Sequence, residues 1–357
     1  KFWREMHIEA EYKEISTQQI LDNKLWKVSG HWNLYNENMF LTEYEDRHFG
    51  VKPMNCPGAM LVYRAKTRSY KELPLRLAEI GVVHRKELSG VLSGLLRVIK
   101  ITQDDAHIFC SEEQLEDEII NIIRLFKKIL DKFEFKYSFT ISIRSKEKKD
   151  KYLGDDKLWN NAEEALAKAL AKLKIKFEKI PGEAKFYGPS LDVVIKDSLG
   201  REWQCSTLQL DFNTPRRFEL AYIGIDNKEH VPIVLHRVVF GSLERFIGIL
   251  LEHLNGNLPL WLSPIQLRVI NFTDRNMKAA ERIVNELKKE IRELRIDSDF
   301  RNTTINEKIR DAGIHRIPYT IVIGDKEEKA KTLAIRERGK KPKFGIKIDK
   351  LIEEIKE

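Results

Sequence analysis

One stretch of this chain cannot be built into regular structure, and it divides everything else. It runs Asn255-Gly256-Asn257-Leu258-Pro259 and then Trp261-Leu262-Ser263-Pro264. Glycine, asparagine and two prolines this close together interrupt helices and strands alike. The 357 residues therefore read as two domains, 1–260 and 265–357, joined by a linker at 261–264. That count suits the length, since each part can bury a core of its own.

The two parts carry different patterns. Downstream, apolar segments at 267–270, 296–300, 319–323 and 332–336 read as strands. They alternate with helical periodicity at 276–294, 305–312 and 348–356. Alternation of this kind predicts a small α/β domain with a largely parallel sheet. Upstream, residues 82–86 and 95–101 read as two strands of a hairpin, joined by the Gly- and Ser-containing 88–94. Helices are predicted over 113–134, 156–173 and 243–254, and a strand-rich block over 186–195, 202–210, 218–225 and 233–235. Dense strands with helices in separate runs predict an α+β fold on an antiparallel sheet. The Lys/Glu-rich 146–151 reads as a surface loop.

Charge separates the parts further. Residues 265–357 hold 23 Lys/Arg against 17 Asp/Glu, a balance of +6; the first 264 hold 40 against 38, or +2. A basic C-terminal third fits a polyanionic partner such as nucleic acid, although a solvated lysine-rich surface gives the same count. No apolar run reaches the length of a membrane span, and the first residues lack the apolar core of a secretory signal. Cys56, Cys110 and Cys205 lie far apart, against a disulfide framework and in keeping with a reducing compartment. A cytoplasmic location is the expectation.

Three segments are polar where strand patterning wants apolar residues. They are His84-Arg85-Lys86-Glu87 with Arg97 across the hairpin, Gln103-Asp104-Asp105-Ala106-His107, and the run from His236-Arg237 to Ser242-Leu243-Glu244-Arg245. Arginines on a sheet can grip phosphate in a bidentate way, so Arg85, Arg97 and Arg245 could hold a triphosphate. Asp104, Asp105 and His107 could bind a metal. No Walker loop, no Gly-rich dinucleotide turn and no nucleophile elbow is present. Residue chemistry alone leaves a polar site for phosphate or metal.

The segments Lys52-Pro53-Met54-Asn55-Cys56-Pro57-Gly58, 102–110, Phe186-Tyr187-Gly188-Pro189, Thr207-Leu208-Gln209-Leu210-Asp211-Phe212 and 241–250 narrow this reading. Together they resemble class II threonyl-tRNA synthetases along nearly the whole chain. The resemblance implies an antiparallel catalytic sheet followed by a C-terminal anticodon-binding domain. It implies a ligase that activates L-threonine with ATP and Mg2+ and passes it to tRNA(Thr). Arg85, Glu87, Arg97 and Arg245 would bind ATP, with Arg85, Gln103, Asp105 and Arg245 acting in catalysis. Asp105, Tyr187, Gln204, Gln209 and Ser242 would bind threonine. One Zn2+ per chain would sit on Cys56, His107 and His236, which are 51 and 129 residues apart in sequence. Three protein ligands leave zinc open to substrate. Threonine's hydroxyl could then exclude valine, which a shaped pocket alone rejects weakly. Asn271, Arg301, Glu327 and Arg336 would read the anticodon, and the working form would be a homodimer.

Some features depart from the pattern. Such synthetases usually carry upstream domains, one of which hydrolyses mischarged seryl-tRNA. This sequence starts almost at the catalytic domain, so the expectation is no editing in cis, serine mischarging, and a separate editing protein as partner. Gln18 stands where a proline is usual at the dimer interface. Ile99 replaces an arginine, Ile101 an aromatic that stacks on adenine, and Ser190 a lysine. These changes frame a second expectation, an RNA-binding relative that has lost catalysis. Glu202 is a candidate magnesium ligand by position alone.

Overall fold

The computed structural model describes all residues except 31, 33, 34, 146, 148–151, 198 and 357. His31 and most of the predicted 146–151 loop thus lie outside the described residues. The chain forms two compact units, Lys1–His253 and Leu254–Glu357. The second unit starts ahead of the predicted linker. Leu260 packs against its core, and Arg295 donates to the carbonyls of Trp261 and Ser263, so 261–264 belongs to that unit's framework.

The first unit is organised by an eight-stranded sheet. In chain order its strands are β1 (Lys13–Glu14), β2 (Leu75–His84), β3 (Lys100–Cys110), β4 (Tyr137–Ile143), β5 (Phe177–Pro181), β6 (Ser190–Lys196), β7 (Glu202–Asp211) and β8 (Ile233–Ser242). They lie in the order β1-β2-β3-β8-β7-β6-β4-β5. The five inner pairings, β2 to β4, are antiparallel; only the edge pairs β1/β2 and β4/β5 are parallel. The predicted α+β class is the observed one. Its longer helices are α1 (Phe2–Glu9), α2 (Cys56–Arg64), α3 (Leu115–Asp131) and α4 (Asp156–Lys172), with α5 (Leu243–His253) closing it; shorter ones lie at Asn23–Ser29 and Thr214–Arg217. Helix α3 buries Ile119, Ile122, Ile123, Phe126, Ile129 and Leu130, the apolar stripe that its periodicity foretells.

Two local expectations change. The hairpin strands are Leu75–His84 and Lys100–Cys110, so residues 85–99 form a long connection, not strands. Its ladder ends where His84 pairs with Lys100, and beyond that only Arg85 N–H to Ile99 O and the Ser93–Arg97 bridge continue. The 218–225 segment is a strand only at Tyr222–Ile223. Its alternation is real, because Phe218, Leu220 and Tyr222 all enter one apolar cluster. Glu219 adopts a positive φ of 53°, however, and the N–H groups of 218–220 bond back to residues 214–216 as a turn, not to a strand.

The second unit has a five-stranded sheet: β9 (Leu267–Asn271), β10 (Ile296–Asp299), β11 (Tyr319–Ile323), β12 (Leu333–Glu337) and β13 (Lys343–Ile346). Its order is β10-β9-β11-β12-β13, with helices α6 (Met277–Glu290), α7 (Ile305–Ile314) and α8 (Ile348–Lys356). The sheet is mixed, not largely parallel: β9 pairs in parallel with β10 and β11, and the last two pairings are antiparallel. A parallel return needs a crossover of about a dozen residues. The link from Ile323 to Leu333 is shorter and turns at Lys331 in the left-handed region (φ 52°). Leu267, Val269, Ile321, Ile323, Leu333 and Ile335 form the core with Ala280, Leu287 and Leu351.

Candidate active site

Strand pairing assembles the site. Side chains on a strand alternate between faces, so Gln103, Asp105 and His107 share one face of β3 and Asp104 takes the other. On the neighbouring strand His236 pairs directly with His107, and on the next strand Gln209 pairs with His236. Ser242 lies opposite Gln103, past an irregularity in β8 between Val238 and Ser242.

Asp104, a candidate metal ligand by residue type, instead builds that irregularity and is not part of the metal-competent cluster. Its fully buried carboxylate accepts the backbone N–H groups of Val239, Phe240 and Gly241 at 2.9–3.0 Å. Burial pushes its pKa up to about 7, while Arg237 and these three donors pull it down. The carboxylate replaces a strand partner where the ladder slips.

Cys56 arrives from another direction, at the first turn of α2. The segment before it is pinned by buried Lys52, which donates to Glu79 and to the Thr17 hydroxyl. Asn55 is pinned as well, donating to Asp105 at 3.1 Å. It fits only because Gly81 has no side chain; a Cβ there would meet the Asn55 amide at 2.4–2.6 Å.

The Cys56 sulfur and one ring nitrogen each of His107 and His236 lie within 4.8 Å of one another, the metal-competent cluster among the described residues. Buried His107 Nε2 and His236 Nδ1 have no hydrogen-bond partner. Orphaned buried nitrogens are costly unless something else satisfies them. His236 Nε2 lies 3.0 Å from Asp211 Oδ2, which leaves Nδ1 as the free lone pair. A carboxylate behind a histidine is the usual support for a metal ligand. Burial pushes the Cys56 thiol up, but His236 and His107 outweigh it and bring the pKa down to about 7. The donor set is thus one thiolate-prone sulfur and two imidazoles, which suits zinc. Asp211 went unnoticed as a support, although its place two residues after Gln209 on β7 puts it on the same face.

Around the cluster, the Tyr187 hydroxyl donates to Gln209, and its ring centroid lies 5.7 Å from that of His236. Asp105 is buried, which raises its pKa to about 6. Gln204 already has a partner within the sheet. It donates to Asp192, which also accepts from Ser142, Ser190 and Thr207. Ser190 is buried within that arrangement. Ser242 donates to Glu244 and accepts the Arg245 N–H.

The three arginines are held by unequal partners. Arg85 donates to Pro53 O at 3.3 Å, and Arg245 donates to Leu96 O at 2.8 Å. Arg97 instead makes two bonds to Glu87, at 2.8 and 3.1 Å. Burial, then Arg97 and Arg85, press the Arg245 pKa down. Mutual repulsion among cations marks a place that an anion would stabilise. Glu202 pairs with Lys196 at 3.2 Å on the exposed surface. Gln18 is exposed, as is Ile99.

The anticodon candidates in the second unit are not alike. Asn271 is fully buried and accepts from Lys308 Nζ at 2.7 Å. Glu327 accepts the Gly324 N–H. Arg301 makes a two-bond pair with Asp299 at 2.6 and 2.8 Å, with its side chain 57% exposed. Arg336 is exposed on β12.

Known proteins match this chain in sequence and in fold. A family model described as the class II tRNA synthetase core domain (G, H, P, S and T) matches residues 40–254, and one described as an anticodon-binding domain matches 266–357. A threonine–tRNA ligase of Caldanaerobacter subterraneus is 47% identical over 99% of this chain and 54% of its own length. One from Acetivibrio thermocellus is 48% identical over 95% of this chain and 52% of its own. The chain thus spans about half the length of the curated relatives it matches. A solved threonyl-tRNA synthetase RNA-binding domain from Cryptosporidium parvum superimposes with TM-score 0.94 at 37% identity, covering 99% of this chain and 88% of that one. A prolyl-tRNA synthetase from Giardia lamblia shares the fold at TM-score 0.73 but only 15% identity. On this evidence the chain belongs to the threonyl-tRNA synthetase family, with a class II core and an anticodon-binding domain.

Proposed function

We propose that the chain is a threonine–tRNA ligase. The observation that carries the reading is the Cys56–His107–His236 cluster, with its two orphaned nitrogens, on the same sheet face as Asp105. Cys56, His107 and His236 would hold zinc, which supplies a Lewis-acidic centre able to take an amine and a hydroxyl together. That chemistry would discriminate against valine, which lacks the hydroxyl, and would admit serine, which has it.

The protein's own groups then position the reaction. Asp105 pairs with the substrate ammonium, and Asn55 keeps the carboxylate aimed. Tyr187 and Gln209 close the wall beside His236. Arg85 takes the α-phosphate of ATP, and Arg245 the γ-phosphate with Arg97. Glu87 reads the adenine amino group once Arg97 turns to phosphate. The threonine carboxylate attacks the α-phosphorus, the bond to the bridging oxygen breaks, and pyrophosphate leaves with Mg2+. The terminal ribose hydroxyl of tRNA(Thr) then attacks the adenylate and releases AMP. Phosphoryl transfer of this kind asks the protein mainly for positioning and charge stabilisation. The working form is a cytoplasmic homodimer, with Asn271, Arg301, Glu327 and Arg336 serving the anticodon.

A second reading, an RNA-binding relative without ligase activity, draws on Ser190. Its buried hydroxyl faces Asp192 and supplies no charge to the site. ATP–pyrophosphate exchange with zinc and magnesium supplied decides between them. Exchange with threonine, weaker exchange with serine and none with valine is the expected result. A folded, zinc-loaded protein that exchanges with no amino acid sinks the ligase reading and favours the second.

A further inference from the structure

We propose that Trp203 is a positioning residue for Arg245, holding the guanidinium ready for ATP phosphate without neutralising it; this rests on the ligase reading above. The Arg245 guanidinium lies 5.5 Å from the centroid of the Trp203 ring, and its Nε donates to the Leu96 carbonyl at 2.8 Å. Both supports are uncharged. An indole face attracts a cation through its quadrupole but contributes no counter-charge. Among the described residues no carboxylate comes within ion-pairing distance of Arg245.

Nearby arginines show the alternative. Arg97 is fixed by Glu87, so part of its charge is already spent. Arg201 also lies over the Trp203 ring, at 5.6 Å, but it is compensated by Asp197 and Glu252. Arg85 is likewise held by a carbonyl, Pro53 O at 3.3 Å, but Arg245 adds to its fixed position and uncompensated charge a ring that supports the guanidinium. Its pKa is pressed down by burial and by Arg97 and Arg85, as fits a cation prepared for an anion.

The ring is itself anchored. Trp203 Nε1 donates to Asp197 Oδ2 at 2.8 Å. Asp197 is fully enclosed and also accepts the backbone N–H groups of Leu199 and Arg201, both at 2.9 Å. The turn after β6 therefore fixes Asp197, Asp197 fixes the indole, and the indole fixes Arg245. Nothing in the sequence marked Trp203, because the contact joins β7 to the first turn of α5.

The test uses the whole chain with MgATP as the probe. Trp203→Leu keeps apolar bulk and loses the π face; Trp203→Phe keeps a π face. In calorimetric titration Trp203→Leu should weaken MgATP about 3- to 30-fold, the range of a cation–π contact. In exchange assays the KM for ATP should rise by the same factor, with kcat and the KM for threonine within about twofold of the parent. Trp203→Phe should recover most of the loss. The proposal is overturned if Trp203→Leu binds MgATP like the parent, or if the Phe variant is as weak as the Leu variant. It is also overturned if the threonine KM and the melting temperature shift along with ATP binding, since that marks a merely structural role. A parent chain that binds no MgATP overturns this together with the ligase reading; an active parent with an unaffected Trp203→Leu overturns this alone.

Discussion

The two units answer the same question in opposite ways. In the catalytic unit, residues singled out for chemistry converge on one sheet face, and some of their buried atoms are left without partners: His107 Nε2, His236 Nδ1 and Asn55 Oδ1. In the anticodon unit the polar residues are mostly spoken for. Asn271 is closed by Lys308, Glu327 by the Gly324 N–H and Arg301 by Asp299. Unsatisfied buried polarity is expensive, and where orphaned atoms cluster with metal-competent donors it points to a site for something absent from the chain; the scattered Trp3 Nε1, Glu116 Oε1 and Glu337 Oε2 belong to no such cluster among the described residues. Satisfied polarity identifies framework. The proposed catalytic roles rest on this clustering, and the proposed anticodon roles on the exposed Arg301 and Arg336, since Asn271 is buried.

The largest effect should come from breaking the metal cluster. Cys56→Ser keeps size and replaces a soft, readily ionised sulfur with a hydroxyl. Zinc content should fall to background, and threonine-dependent exchange should drop about a hundred- to a thousandfold. The melting temperature should stay close to the parent's, because the cluster is carried by strand pairing that does not need Cys56. Metal analysis showing full zinc in the variant would remove Cys56 from the ligand set.

Buried groups in the catalytic unit should also answer to acid. His7 on α1 donates from Nδ1 to Trp3 O, and its Nε2 meets Arg237 NH2. Burial first, then Arg237, lowers its pKa to about 3. The sign follows directly: the unfolded histidine binds protons near pH 6.5 and the folded one does not, so stability is lost as pH falls from 6.5 toward 3. On the order of 2–3 kcal/mol should disappear between pH 7 and pH 4. In His7→Phe that part of the slope should vanish in urea titrations at the two pH values. An unchanged slope would mean that His7 is protonated in the fold.

A substitution in the second unit probes the other side of the contrast. If Asn271 is framework, Asn271→Ala leaves the buried Lys308 ammonium only the residue-271 carbonyl and costs about 1–3 kcal/mol in unfolding free energy. If Asn271 instead reads a base, stability holds and tRNA affinity falls. Denaturant melts and filter binding on the same variant separate the two.

How much of this was legible in sequence depends on the range of the interaction. Periodicity placed α4 and β11 to within a residue and α3 with ends two and three residues too long, because each pattern is local. The three polar runs marked β3, β8 and the 85–99 connection as sites, since polar residues on central strands violate the pattern. Ligand identity was out of reach of spacing. Cys56, His107 and His236 meet only through strand register, and the resemblance supplied what spacing could not. Asp104 shows the same limit from the other side. It was conspicuous in sequence, yet its function is to hold three backbone amides of a strand more than a hundred positions away. The sheet of the second unit was misjudged as parallel because helix–strand alternation does not reveal that one connection is too short to cross over.

Arg336 carries the smallest expected effect and the sharpest consequence. It is exposed on β12, opposite Thr320 of β11, so removing its side chain should leave the fold unchanged. A single base contact is worth about 1–3 kcal/mol, with a modest loss expected at an exposed position. Arg336→Ala should therefore reduce aminoacylation of tRNA(Thr) about tenfold, through KM for tRNA, while ATP–pyrophosphate exchange stays at the parent rate. The asymmetry matters more than the size. On the proposed reading, exchange needs only the catalytic unit and charging needs both. Equal losses in the two assays would mean that the second unit supports adenylate formation itself, and the division between a unit with unsatisfied atoms for chemistry and one with exposed charge for RNA would no longer hold.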